Sequence, residues 1–286
     1  MSGSSSDTLG IIAGGGRLPG LLVQACKTRA RPYLVVGLEG HADDLPEPPA
    51  LWARLGDAGK MFRALHEAKV TAVVMAGKVQ RPDLRDLKPD WRTIRFLART
   101  GIRAFTRKEK VGDDRLLRSV IDEIEREGLS VIGVDSILSD LLVPNGPLTE
   151  NAPTEHDQPD IQAGIDAARA LGAADIGQAV VVQNGAVLAA EDAAGTDYLI
   201  HRGGDLKQDG SGPILIKVSK PQQDRRADLP TVGPETVEAC LAAGFRGIAI
   251  EAGGTLVMNR ADLCARADGA GLWVVACSVS TATDQS

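Results

Sequence analysis

The chain has 286 residues, enough for two domains, and is 43% hydrophobic and 24% charged, the make-up of a soluble globular protein. Its net charge of -6 excludes a general nucleic-acid binder, which needs a basic footprint, but leaves room for a nucleotide or one anionic ligand. Aromatics are only 3%, so the cores must be built from Val, Ile, Leu and Ala. The four Cys form no CxxC pair, as expected of reduced thiols, and the four His show no zinc-site spacing. No apolar run approaches the roughly 18 residues of a membrane span, and MSGSSSDTLG lacks the order of a signal peptide. A cytoplasmic protein is expected, with residues 1–8 as a disordered leader; a peripheral contact with a membrane is compatible with this.

In chain order, LGIIAGGG reads as a buried strand ending in a glycine turn, LPGLLVQACKTRA as an amphipathic helix and PYLVVGLEG as a second strand. KMFRALHEAK is a helix with Met61, Phe62 and Leu65 on one face, and TAVVMAGKV a third strand. This alternation implies parallel pairing with right-handed crossovers, a Rossmann-like domain over residues 9–142. Arg81 to Lys110 is basic and mostly helical. GDDRLLRSVIDEIEREG is a capped helix, with Asp113 as N-cap and Gly128 as C-cap, and SVIGVDSIL a further strand. Residues 143–160 hold four Pro and no apolar period, and read as a linker.

Residues 161–280 read as a mixed α/β domain. IQAGIDAARALG is a helix, and AVVVQNGAVLAAE a hairpin turning at Asn184-Gly185. TDYLIHRG is a helix, GPILIKVSK a strand and PETVEACLAAG a helix. GIAIEAGGTLVMNR suggests a second hairpin at Gly253-Gly254. ADLCARADGAG and LWVVACSV close as helix and strand. The expected architecture is α/β in two domains joined by the Pro-rich linker.

Several constellations could carry chemistry, each beside a plainer reading. AGGGRLPG lets backbone approach a ligand at Gly14 and Gly15 ahead of a helix N-terminus, or is a tight turn. Lys78 and Arg81 lie beyond the carboxyl end of a parallel strand, where a cation suits a phosphate, or are surface charge. Asp113 and Asp114 are pocket carboxylates or capping residues. Glu191, Thr196 and Asp197 join a hairpin to a helix, with Thr196 as N-cap in the plainer reading. Glu251 ends an apolar strand before a glycine turn, either paired with a Lys or placed for metal or proton transfer.

The densest stretch is KPQQDRRADLPTVG, Lys220 to Gly233. With Lys217 on the strand before it, it sets Asp224 and Asp228 among Lys220, Arg225 and Arg226. Carboxylates suit Mg²⁺, and the cations suit a phosphate. The alternative is a surface salt-bridge cluster.

IAGGGRLP, AGKVQRPD, GDDRLL, DIGQ, EDAAGTD, KPQQDRRADLPTVG and EAGG occur here in one order across nearly the whole chain. Together they resemble the LpxI family of UDP-2,3-diacylglucosamine pyrophosphatases. The resemblance implies a Mg²⁺-dependent hydrolase of lipid A synthesis that yields UMP and 2,3-diacylglucosamine 1-phosphate. It also implies a dimer of two-domain chains, with the nucleotide-sugar lipid bound between the domains; a peripheral contact with the inner face of the inner membrane is compatible with it. The family's key acid falls on Asp228, with Asp224 and Thr231 in the same motif and the TD pair on Thr196 and Asp197. On this reading Asp228, helped by Asp197 or Glu251, organises Mg²⁺ and a water, Asp224 is a second metal ligand, and Lys217, Lys220 and Arg225 screen the pyrophosphate. Gly14, Gly15, Lys78 and Asp113 are assigned to substrate. Two other classes stay open: a non-catalytic binder of nucleotide-sugars or lipid phosphates, and an NAD oxidoreductase, against which stands the missing GxGxxG.

Overall fold

The structure, a computed structural model, describes residues 7–79, 88–99 and 113–279; the side chains of residues 113 and 114 are not among those described. The chain divides into two compact units. The first runs to Ser139 and takes in Asp224–Asp228; the second holds Asp140–Gln223 and everything from Leu229 onward.

The first unit contains β1 (Thr8–Ala13), α1 (Leu18–Thr28), β2 (Tyr33–Leu38), β3 (Leu51–Ala53), α2 (Ala58–Glu67), β4 (Val70–Ala76), α3 (Trp91–Arg99), α4 (Asp113–Arg126) and β5 (Ser130–Val131). Its sheet has the order β3-β2-β1-β4-β5, and all four pairings are parallel. The chain winds outward from β1 to β3, then restarts on the other side of β1 with β4. The two directions part between the carboxyl ends of β1 and β4, the place where open α/β sheets hold ligands. Phe62 and Leu65 of α2 and Ile121 and Ile124 of α4 are buried against Val36, Val73 and Val131. Ala227, far away in sequence, packs on this same core.

SVIGVDSIL forms only the two-residue β5 and then a 3-10 turn at Val134–Ser136. A Cβ on Gly133 would lie 3.1 Å from the Arg225 carbonyl and would collide with Asp135, so the strand gives way where the Asp224–Asp228 segment lies against it.

The second unit contains β6 (Gly146–Pro147), α5 (Gln158–Ala173), β7 (Ala179–Gln183), β8 (Ala186–Ala190), α6 (Thr196–Asp205), β9 (Ile214–Lys217), β10 (Thr231–Val232), α7 (Pro234–Ala242), β11 (Gly247–Glu251), β12 (Leu256–Val257), α8 (Arg260–Gly269) and β13 (Trp273–Cys277). Six of its strands form one sheet, β6-β13-β11-β9-β7-β8, with β9, β11 and β13 mutually parallel and the other pairings antiparallel. Side chains alternate across it. Ile214 and Ile216 join Ile161, Ile165 and Ala168 of α5 on one face. Leu215 joins Leu199, Val237 and Leu263 from α6, α7 and α8 on the other.

β7 and β8 form the hairpin expected at Asn184-Gly185, both with positive φ (54° and 76°) as a type I′ turn requires. The second expected hairpin does not form. β11 already pairs with β9 on one edge and β13 on the other, so the chain turns at Gly253-Gly254 and β12 pairs instead with β10, in parallel. Residues 143–160 are built into this unit. β6 pairs with β13, and Arg246 holds both Asp157 and Asp160 at 2.7 Å.

Candidate functional site

Polar groups gather at the carboxyl edge of each sheet, and each edge is described by itself. In the first unit the glycine turn is a backbone lock. Gly14 N–H donates to the Ala76 carbonyl at 2.8 Å, and Gly15 and Lys78 exchange both backbone bonds at 2.8 and 2.9 Å. A Cβ on Gly14 would sit 2.7 Å from the Lys78 oxygen, and one on Gly15 2.9 Å from the His41 oxygen. The glycines are therefore required by the close approach of three backbone segments. The same lock puts the exposed Lys78 at the switch point between β1 and β4. Arg81 and the side chains of Asp113 and Asp114 lie outside the described residues.

The Asp224–Asp228 segment completes the first unit's share. Asp224 accepts two hydrogen bonds from the Arg226 guanidinium, Nε to Oδ1 at 3.0 Å and Nη2 to Oδ2 at 2.7 Å. These bonds hold its carboxyl below the usual range despite partial burial, and they raise the Arg226 pKa in turn. Arg226 reaches on to Glu125 at 2.7 Å, and Arg225 pairs with Asp135 at 3.2 Å. Asp224, expected as a metal ligand, thus has both oxygens turned to Arg226. Asp228 is exposed, and its N–H donates to the Asp224 carbonyl at 3.3 Å.

In the second unit Lys217 ends β9 and is only 7% exposed. Its Nζ donates to Thr196 Oγ1 at 3.0 Å and to the Thr231 carbonyl at 3.1 Å. Thr196 Oγ1 donates in turn to Glu191 Oε1 at 2.5 Å, and Glu191 Oε2 accepts the Gln178 N–H at 2.8 Å. Glu191 is 8% exposed, so a buried carboxylate compensates a buried ammonium through one hydroxyl. Thr196 is not the N-cap expected: Gly195, at φ 87°, holds that place and Thr196 is the first helical residue, its side chain turned to Glu191.

Glu251, at the end of β11, accepts the Ser219 N–H at 2.7 Å and the Ser219 hydroxyl. Gly254 leaves room for that carboxylate, since a Cβ there would overlap it. Lys220 is turned to Asp175 at 2.5 Å, both side chains largely buried. Asp197 is exposed in the first turn of α6.

The structure therefore brings Thr196, Lys217 and Thr231 together and adds Glu191, while Glu251 belongs with Ser219 and Lys220 with Asp175. Ser219, Gln178 and Asp175 went unnoticed in the sequence. Gln178 lies in the DIGQ motif and Ser219 in KVSK, but their partners are distant along the chain. Among the described residues no three His, Cys, Asp or Glu cluster as a metal site.

The family model for the LpxI N-terminal domain matches residues 8–141, and that for the LpxI C-terminal domain matches residues 144–275. A Caulobacter vibrioides protein named UDP-2,3-diacylglucosamine pyrophosphatase LpxI is 39% identical over 274 residues, 93% of this chain and 96% of that protein. By both measures, this chain belongs to the LpxI family.

Proposed function

We propose that the chain hydrolyses the pyrophosphate of UDP-2,3-diacylglucosamine to UMP and 2,3-diacylglucosamine 1-phosphate, with Mg²⁺, in lipid A synthesis. The observation that carries this is the near full-length identity to a relative of that name. Pyrophosphate cleavage expels a phosphate of low pKa, so neutralising charge matters more than protonating the leaving group. Lys217 supplies a fixed positive charge, its orientation set by Thr196 and Glu191. Asp228 is the acid of the DLPT motif that would accept a proton from the attacking water.

The acids present suit Mg²⁺ in one form only. Mg²⁺ commonly takes one or two carboxylates plus substrate phosphates and waters. Asp228, exposed in the DLPT motif, would be the carboxylate to hold the ion, whereas Asp224 has both oxygens engaged by Arg226. When bound, the ion would supply Lewis-acid neutralisation of phosphoryl oxygens. A homodimer in the cytoplasm, meeting its substrate at the membrane, belongs to the same proposal.

The deciding assay measures UMP release from UDP-2,3-diacylglucosamine with and without EDTA. Release abolished by EDTA is expected. Tight binding without release would mark a binding protein instead, and a nicotinamide difference spectrum on adding NADH would mark an oxidoreductase.

A further inference from the structure

We propose that the outward face of α3 and the groove beside it dock this protein on an anionic lipid bilayer. Inward, Thr93 is buried and its hydroxyl donates to the Gly56 carbonyl at 2.7 Å, with Phe96 and Leu97 half-buried beside it. Outward lie Trp91, Ile94, Arg95 and Ala98, all exposed and spaced as one helical stripe. Trp91 is 74% exposed, the most of any large apolar residue described, and Ile94, one turn on, is 45% exposed. A lone exposed apolar residue needs no explanation, but a Trp–Ile pair on one stripe does.

A cavity of about 710 Å³ opens next to this stripe, lined by Arg54, Lys60, Arg63 and Arg92 with Trp91. Two of its acids are already engaged: Asp57 by Arg54 at 2.8 Å, and Asp90 by the N–H groups of Gly59 and Thr93 at 2.6 and 2.8 Å. Glu67 is the remaining one. Arg92 is itself paired with Glu127, whereas Arg63 and Arg95 make no ion pair among the described residues. From Lys88 to Arg99 there are four basic residues and one acid, in a chain of net charge -6.

An aromatic and an aliphatic anchor bordered by cations is the chemistry of an element lying in the headgroup layer. The chain as a whole would be repelled by an anionic surface, so attraction has to be local, and this face supplies it. A symmetric contact between two copies is disfavoured, because it would set Arg95 and Arg63 against their own equivalents. The docking is read from the surface alone; its use in reaching an acylated substrate rests on the function proposed above.

The test is sedimentation of the full chain with phosphatidylcholine vesicles, with and without phosphatidylglycerol. Binding is expected only with the anionic lipid, falling with salt. R63A/R95A should weaken it by roughly fivefold per arginine. W91A/I94A should weaken it by at least about tenfold, and W91A should lose the fluorescence blue shift seen on binding. Thermal melts check that the variants stay folded. UMP release from detergent-dispersed substrate should be unchanged in W91A/I94A, while release from vesicle-embedded substrate falls. No binding by the wild type, equal binding by W91A/I94A, or a dimer that W91A/I94A dissociates would each overturn the proposal. The sedimentation result stands whether or not UMP is released, so the two readings fail separately.

Discussion

Replacing Arg246 with Met should show how firmly the Pro-rich stretch is held. The Arg246 guanidinium donates to Asp157 and Asp160 at 2.7 Å each and also to the Gly212 carbonyl. The three side chains are 14%, 10% and 5% exposed. Asp160 also accepts the N–H groups of Asn184 and Gly185, at 3.1 and 2.5 Å, so the carboxylate that the guanidinium holds is also the tie to the β7–β8 turn. Met fills much of the volume but leaves two buried carboxylates without their cation. Such a loss costs about 3–5 kcal/mol, or a melting temperature lower by roughly 6–20 °C at about 2–4 °C per kcal/mol for a unit of this size.

The pH dependence adds a second reading. Burial works to raise the Asp157 pKa, but the Thr154 N–H, the Arg246 guanidinium and the Thr154 hydroxyl outweigh it and hold the group below its ordinary value. A depressed carboxyl contributes stability that is present above its unfolded pKa, about 3.9, and is lost as pH falls through the folded value. The wild type should therefore lose stability below about pH 4. The variant's deficit should be largest near neutrality and shrink toward acid, where its orphaned carboxylates take up protons. Denaturant melts from about pH 7 down to about pH 2.5 measure both. A deficit under about 1 kcal/mol, the range of exposed pairs, would refute the reasoning.

Other substitutions probe the candidate site. Asp228→Ala should keep the fold and substrate binding but lower UMP release by roughly 1,000-fold or more; near-normal turnover removes Asp228 from the mechanism. Asp224→Ala should release Arg226 and destabilise the first unit while the Mg²⁺ concentration for half-maximal rate stays put; a large rise there would restore Asp224 as a metal ligand. Glu191→Gln leaves one carboxamide oxygen for two donors, the Thr196 hydroxyl and the Gln178 N–H, and Lys217 without its counter-charge, and should cost about 1–3 kcal/mol in stability. Its kcat should also fall, with Thr196→Ser close to wild type and Thr196→Val as impaired as Glu191→Gln; a stability loss with unchanged kcat would make the array purely structural. Gly254→Ala should displace the Glu251 carboxylate and match Glu251→Gln in assay and melt; wild-type behaviour would show that Glu251 is not confined there.

Much of the scaffold was legible because its signals are local. The strand–helix alternation of the first half, the Asn184-Gly185 turn and the stripe of α2 each lie within one short window. What escaped depends on distance. β3, β10 and β12 are two or three residues long and exist only because a neighbour offers an edge. The β11–β12 hairpin failed because both edges of β11 were taken. The Pro-rich stretch looked like a linker because the sequence near it does not show that Arg246 holds it. At the site, Glu191 and Thr196 stand out together in EDAAGTD, but Lys217 stands apart from them in the stretch before KPQQDRRADLPTVG. Their hydrogen-bonded chain joins a hairpin end, a helix start and a strand end, which no spacing rule connects. For Asp224, charge density suggested a metal, whereas two residues on Arg226 had the shorter path to it.

The membership of Asp224–Asp228 in the first unit has a consequence for dissection. The C-terminal family match at residues 144–275 is continuous in sequence, but the folded unit is not. Produced alone, that piece would carry Ala227 without its core, Arg226 without Glu125 and Arg225 without Asp135. The N-terminal piece alone would lack Ala227 on its core and the arginines that pair with Glu125 and Asp135. A gain or loss of one residue between Gln223 and Leu229 would strain two folds at once, so exchange of halves between relatives has to bring this pentapeptide from the same parent as residues 1–139.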